Sequence, residues 1–363
     1  MLTRLDRLRA AMHERDLPAL LITDPANRRY LSGFTGSFGT LLVTAEAAII
    51  FSDSRYRLQV GQEATSFTLH EITPEHAFPQ LLASAARSLS LDRLGFEAAH
   101  MTYAAYSELG TALSGDESTP PALIPIEGLV EEQRMVKDEA ELAVLRKAIA
   151  ITDAALGAVL PQLRPSHTER QAAWMLEVAI RQAGAEAISF PIIVAAGPNS
   201  ARPHARPGNA KLGMGRPIVI DMGARVDGYH ADLTRTIVLG TLDPMFREVY
   251  TTVRKAQQAA IAGLRAGLSG HAADALAREV IAAAGYGDKF GHGLGHGVGL
   301  NIHEGPLLRR AAPGKEDKAH TLRAGNVTSV EPGIYIEGWG GVRIEDLVLI
   351  TEDGCEVLSG APK

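Results

Sequence analysis

The sequence predicts two domains of different class, an α/β domain over residues 1–130 followed by an α+β domain over 131–363. Three observations carry that prediction. A chain of 363 residues exceeds one typical compact domain, so two separate cores are expected. Up to about residue 125, short apolar runs (ALLIT, TLLVT, AAIIF) alternate with helical patterns (RLDRLRAAM, FPQLLASAARSL), which argues for strands and helices interleaved. Beyond that point, capped helices alternate with pairs of strand candidates that carry acids.

Composition narrows the function. A net charge of −6 provides no basic footprint for nucleic acid or an anionic membrane, so neither is expected as a partner and a small soluble substrate is. The lone cysteine, Cys355, excludes an intrachain disulfide and a thiolate zinc site. MLTRLDRLRAAMHERD at the start alternates charge with leucine, unlike a secretion signal, and no apolar run approaches the roughly 18 residues of a membrane span. A reduced cytoplasm is the expected compartment.

In chain order, STPPALIPIEGLVEEQRMVKDEAEL has three prolines that break regular structure before a charged helix, which sets the domain boundary near residue 130. Asp138 and Glu141 stand at capping-box spacing, and Leu142, Leu145, Ile149 and Leu156 form the stripe of the helix they open. Ser166 with Glu169 predicts the start of the next helix and Gly184 its end. Two more helices are expected, one with Pro244 in its first turn and one over GHAADALAREVI.

The chemistry lies between these helices. In RPIVIDMGARVDGYHADLTRTIVLG, apolar strands flank RVDG. A four-residue loop there sets Ala224 opposite Tyr229 and Asp221 directly opposite Asp232, with Cβ atoms about 4.5–5.5 Å apart on one face. Like carboxylates so placed repel unless a cation lies between them. Strand acids usually face solvent, but the continuous run Ile218, Val219, Ile220 argues for a strand buried on both faces, where charge must be paired or metal-bound. VTSVEPGIYIEGWGGVRIEDLVLI repeats the pattern: a turn centred on Gly338 pairs Glu331 with Glu345 and puts Arg343 on the face of Glu345.

GHGLGHGVGLNIHE, residues 291–304, holds His292, His296 and His303, with glycine at every odd position from 291 to 299. Alternating glycine argues for an extended strand that another backbone or a substrate approaches closely. His292 and His296 then share a face, and His303 falls on the other unless the chain bends. HEGPL lacks the second histidine of HExxH, the glycine run contains no GxGxxG, and GxSxG occurs nowhere. What remains, one histidine plus four carboxylates, suits a pair of divalent metals in an oxygen-rich site.

These residues resemble a known family. The order Asp221, Asp232, a histidine in GHGVGLNIHE, Glu331 in VEPGIY and Glu345 in VRIED is similar to the metal-dependent pita-bread peptidases, namely methionine aminopeptidase, prolidase and aminopeptidase P, over residues 140–355. NRRYLSGFTGS and DSRY resemble the creatinase-like N-terminal domain of the proline-specific branch. The resemblance implies a creatinase-like α/β domain followed by an α+β pita-bread catalytic domain. It makes Asp221 a ligand of one metal, Asp232 and Glu345 bridging ligands, and His296 with Glu331 ligands of the other. It implies two divalent ions, manganese first, with cobalt, zinc or iron as alternatives. His303 and His204 face the substrate, His292 lies near the cleft, and Tyr229 is placed on the substrate side. His230, His271 and His320 have no such support. Relatives that serve as binding modules have usually lost ligands, and creatinase works without metal, whereas this chain keeps all five ligand types.

By the same resemblance Glu331 passes a proton to the leaving nitrogen while His303 steadies the tetrahedral intermediate, and Arg343, two residues from Glu345, is placed to orient that bridging carboxylate. An Xaa-Pro bond lacks an N–H and carries a fixed ring, so peptides with proline at the second position require a dedicated pocket. Two activities fit. A dipeptidase needs a cation for the free carboxylate, and many relatives place an arginine four residues after the substrate-side histidine, where this chain has Leu307, with Arg309 and Arg310 further along. DSRY, comprising Asp53, Ser54, Arg55 and Tyr56, looks like the D-x-R-Y signature of small bacterial aminopeptidases P and puts Asp53, Arg55 and Tyr56 on the substrate side. Aminopeptidase P is therefore the expected activity, with Xaa-Pro dipeptidase as the alternative. DSRY also reads as a strand end whose aspartate caps a helix. Relatives are commonly homodimers, and that assembly is expected here.

Overall fold

The structure is a computed structural model that describes residues 2–115, 120–311 and 320–363. The chain forms two compact units, Met1–Arg134 and Met135–Lys363.

Among its described residues the first unit is built on a six-stranded sheet. Its strands are β1 (Ala19–Ile22), β2 (Thr40–Thr44), β3 (Ala48–Asp53), β4 (Thr68–Ile72), β5 (Arg93–Glu97) and β6 (Ala122–Ile126), in the order β4-β3-β2-β1-β5-β6. The three predicted apolar runs are β1, β2 and β3. Helix Phe78–Ser88 buries Leu82, Ala83 and Ala86 against Leu21, Leu42 and Phe51. The proline-rich stretch corrects one expectation. Residues 118 and 119 lie outside the described residues, but Ala122–Ile126 is a strand despite Pro125, because β6 is an edge of the sheet, where a missing N–H leaves no inner partner unpaired.

The second unit opens with helix Glu139–Val159, capped reciprocally by Asp138 and Glu141. Helix Glu169–Gln182 is capped by Thr168 with Gln171, not by Ser166 with Glu169. Glu169 is fully buried instead, and accepts from Ala196 N (2.8 Å), Asn199 Nδ2 (2.9 Å) and Gly208 N (2.9 Å), tying down the loop that carries His204. Pro244 sits in the first turn of Pro244–Gly263, and Gly270–Ala283 follows. The strands are β7 (Ala187–Ile188), β8 (Ile193–Ala196), β9 (Ile218–Met222), β10 (Ala224–Val226), β11 (Tyr229–His230), β12 (Leu233–Ile237), β13 (Gly295–Gly297), β14 (Glu304–Leu308), β15 (Val327–Val330), β16 (Gly333–Ile336), β17 (Gly340–Arg343), β18 (Asp346–Ile350) and β19 (Cys355–Val357). Helices Pro244–Gly263 and Gly270–Ala283 pack Val249, Val253, Ala273 and Ala277 onto Val330, Ile334, Val342 and Val348. Each buried valine or isoleucine of this cluster contributes about 1.5–3 kcal/mol relative to exposure.

Two long hairpins carry the acids. The first, β9-β10 with β11-β12, keeps one register throughout, from Ile218↔Ile237 to Val226↔Tyr229. Its loop has two residues, not four: Asp227 (φ 43°) and Gly228 (φ 72°) both take positive φ, the geometry Asp-Gly favours in a tight hairpin turn. The register is therefore shifted by two from the expectation. Asp221 faces Thr234, and Asp232 falls opposite Gly223, where the ladder is interrupted. Because the shift is even, both acids keep the same face. The second hairpin, β15-β16 with β17-β18, has the expected register, with Gly333↔Arg343 and Val330↔Asp346, and Glu331 and Glu345 stand in the gap between the two ladders.

Candidate active site

The two hairpins bring Asp221, Asp232 and Glu345 together: one oxygen of each lies within 4.8 Å of the others, and all three residues are buried. Asp221 Oδ2 accepts from Arg343 Nη2 at 2.7 Å, and Glu345 Oε2 accepts from the Thr234 hydroxyl at 2.7 Å. Asp221 Oδ1 and Glu345 Oε1 are buried with no hydrogen-bond partner. Burial, reinforced by the neighbouring acids, holds the Asp232 and Glu345 carboxyls well above the usual carboxylate range, and burial raises Glu331 as well. Such a cluster cannot be fully ionised on its own.

Glu331 and His296 complete the group. Glu331 Oε1 accepts from the Ser329 hydroxyl at 3.0 Å, which also accepts from the His296 amide at 3.0 Å. His296 Nδ1 lies 3.0 Å from the Gly297 carbonyl, so it carries the proton, and burial keeps the ring neutral by lowering its pKa. Nε2 then turns a lone pair toward Glu331 Oε1 (3.4 Å) and Asp232 Oδ2 (3.7 Å), neither of which can donate while ionised. A lone pair facing carboxyl groups, beside two unpartnered carboxylate oxygens, is an arrangement a divalent cation resolves. The donor set fits the expected metals.

The glycine pattern has the predicted cause over a shorter span. β13 is three residues long, and a Cβ on Gly295 or Gly297 would collide with the carbonyls of Ser329 or Gly305. The chain then bends, which brings the His303 ring to 4.3 Å from that of His296. His292 donates through Nδ1 to Gly293 O (2.7 Å), and its Nε2 accepts from the Tyr335 hydroxyl at 2.9 Å. Arg343 Nη1 donates to the same hydroxyl (2.9 Å) and to Pro203 O (3.2 Å), next to His204. A cleft of about 510 Å³ opens over these groups, walled by Phe190, Ile192, Ile193 and Ile302, with His204 and His303 on its lining.

Three assignments change. Arg343 orients Asp221 directly and reaches Glu345 only through Thr234, to whose Oγ1 its Nε donates at 3.0 Å. Tyr229 is buried with its hydroxyl donated to Glu141 (2.9 Å), and it does not line the cleft. In the first unit, Asp53 accepts from Arg55 N (3.0 Å) and pairs with the Arg55 guanidinium (2.7 Å), so DSRY forms the strand-end cap, with Tyr56 bonded to Ser37 (2.7 Å). His271 and His320 bond to the backbone at Arg309 and Leu307. Sequence reasoning missed Thr234, Ser329 and Tyr335. Each is an even number of residues from an acid on the same strand path, the one signal that pointed to them.

Residues 143–352 match the model of metallopeptidase family M24, and residues 4–136 match the creatinase/prolidase N-terminal domain. The chain belongs to metallopeptidase family M24. An Xaa-Pro dipeptidase from Bacillus anthracis superposes with a TM-score of 0.93 at 37% identity, covering 99% of this chain and 98% of the other. An X-Pro aminopeptidase from Thermotoga maritima superposes with a TM-score of 0.87 at 35% identity over 97% and 98%. The Xaa-Pro dipeptidase of Pyrococcus furiosus is 32% identical over 99% of this chain and 98% of its own length. The M24 assignment carries the expected architecture with it, a creatinase-type domain followed by a pita-bread catalytic domain. It also makes the chain a metallopeptidase by family, and the buried carboxylate group is the candidate place for its metal. No helix among the described residues is long and apolar enough to cross a membrane.

Proposed function

We propose that this M24 peptidase is an Xaa-Pro dipeptidase that cleaves the bond before proline in dipeptides. The full-length similarity to Xaa-Pro dipeptidases carries this reading and favours it over the aminopeptidase P activity expected from DSRY. The cleft is consistent with it. Leu307 stands where an arginine was expected, but Arg309, two residues further along the same strand direction, also lines the cleft, as does Arg206. Either offers a cation to the free carboxylate of a dipeptide. Residues 312–319 of the Arg309/Arg310 loop lie outside the described residues.

In this reading Asp221, Asp232, His296, Glu331 and Glu345 hold two divalent ions, with manganese suited to so oxygen-rich a donor set. When bound, the metals supply a nucleophilic water at neutral pH and polarise the scissile carbonyl. Glu331, oriented by Ser329, moves the proton to the leaving proline nitrogen. His303 and His204, both on the cleft lining, hold the substrate carbonyl and carboxylate. The apolar wall of Phe190, Ile192, Ile193 and Ile302 receives the ring and excludes water.

The test compares Xaa-Pro with Xaa-Pro-Yaa on one manganese-loaded preparation. The dipeptide is expected to have at least a tenfold higher kcat/KM, and replacing both Arg206 and Arg309 by alanine is expected to erase that preference. A higher kcat/KM on the tripeptide supports the second reading, aminopeptidase P, which the Thermotoga maritima structure and DSRY favour. Under that reading Asp53, Arg55 and Tyr56 serve the substrate, and Arg55→Ala weakens tripeptide cleavage while metal content stays intact.

A further inference from the structure

Arg235 follows Thr234 on β12, and strand alternation sends its side chain to the face away from the acids. It is 2% exposed, yet every nitrogen of its guanidinium has an acceptor. Nε donates to Pro362 O (3.0 Å), Nη1 to Thr234 O (3.0 Å) and to the Glu345 carbonyl, and Nη2 to Asp346 Oδ1 (2.9 Å) and Ala361 O (2.6 Å). Asp346, fully buried, also accepts from Gln257 Nε2 (3.1 Å) and pairs with Lys363.

Residues 358–363 are stitched to the same place by their backbone. Leu358 N donates to Leu347 O (2.9 Å), Leu347 N donates to Ser359 Oγ (3.0 Å), and Gly360 N donates to Asp153 Oδ2 (2.7 Å). This segment lies outside the lining of the cleft that holds Asp221, Asp232, Glu331 and Glu345. It supplies two of the carbonyls that keep Arg235 in place. Arg235 in turn holds the Glu345 carbonyl while Thr234 holds the Glu345 carboxylate from the other side. A buried guanidinium that loses acceptors must turn toward water or take others, and either movement releases the link between β17 and β18 in which Glu345 stands.

We propose that Arg235 and residues 358–363 form a clamp behind the site that positions Glu345 as a bridging ligand, so that metal affinity depends on a segment remote from the metals. Arg235 is a positioning residue in this scheme. The inference rests on the reading of Glu345 as a metal ligand.

The experiment titrates manganese by calorimetry into three metal-free proteins: the full chain, the chain ending at Gly360, and Arg235→Lys, which keeps the charge beside Asp346 but not the fork that reaches the carbonyls. Both variants are expected to bind manganese about 10–100-fold more weakly, the range typical of lost support behind a ligand. At saturating manganese, KM for an Xaa-Pro dipeptide is expected to stay within about twofold of the full chain, with most of kcat recovered. Manganese affinity unchanged within twofold, even where the metal-free melting temperature falls, overturns the clamp and makes the segment a stability feature alone. Arg235→Lys decides the question if the shortened chain does not fold. Failure of the full chain to bind manganese would instead remove the reading of Glu345 on which the clamp rests.

Discussion

The hairpins spanning 218–237 and 327–350 are built alike but compensate their charge differently. Each keeps one register across an interruption, and each places an acid in that interruption: Asp232 opposite Gly223 in the first, Glu331 and Glu345 in the second. Only Glu331 is supported from its own hairpin, by Ser329. The cation of the second hairpin, Arg343, crosses to Asp221 of the first, and the hydroxyl of the first, Thr234, crosses to Glu345 of the second. Glu345 N also donates to Thr234 O (3.1 Å). The site is therefore built between the hairpins, and Asp221, the one acid of the site in a regular ladder, is the one that receives Arg343.

That asymmetry can be broken at three points, in falling order of effect. Asp232→Asn removes the acid that faces both hairpins, and Xaa-Pro hydrolysis is expected to fall at least ~10³-fold, the scale on which a metal supplies transition-state stabilisation. The same variant, free of metal, is expected to be more stable than the parent at pH 8. Asp232 and Glu345 have raised pKa values in the fold, so their contribution is fully present below the ordinary carboxylate range and is lost as pH rises through the folded values. Denaturant melts of both metal-free proteins at pH 6 and 8 measure this, and an Asp232→Asn protein that loses as much stability with rising pH as the parent contradicts it.

Thr234→Val keeps the shape but deletes the hydroxyl between Arg343 and Glu345. Leaving those buried charged partners unsatisfied costs about 1–3 kcal/mol of stability, and metal affinity is expected to fall about 10–100-fold. A Thr234→Ser protein, which restores the hydroxyl, should recover most of the affinity in the same titration.

His230 gives the smallest effect and has the opposite sign. Burial lowers its pKa from 6.5 to about 4, and its Nδ1 is buried without a partner. Its contribution is present above pH 6.5 and is lost as pH falls toward 4, about 2 kcal/mol at most between pH 7 and 5. His230→Asn should flatten that part of the stability profile, measured by urea midpoints at both pH values.

The second hairpin was legible to the residue, because the glycine-centred turn at Gly338 fixed its pairing. The first was legible only in which face the acids share. A four-residue loop was read where Asp-Gly makes a two-residue one, and an even error in register leaves parity intact. Capping was read well where a reciprocal Asp/Glu box was present and missed by two residues where Thr168 competed with Ser166. For the supports Thr234, Ser329 and Tyr335 the sequence offers only their even spacing from an acid, and for Arg235 nothing, because hydroxyls and strand arginines are common and only the tertiary arrangement gives them partners. DSRY alone does not decide between dipeptide and longer peptide, since Asp53 and Arg55 satisfy each other locally.

The central claim is that the hairpins meet to hold two cations. Manganese titration by calorimetry, followed by anomalous diffraction from manganese-soaked crystals, tests it most directly. The account predicts two ions per chain, with Asp232 and Glu345 shared, Asp221 on one ion, and His296 and Glu331 on the other. A stoichiometry of zero, or ions found away from those five side chains, would contradict it.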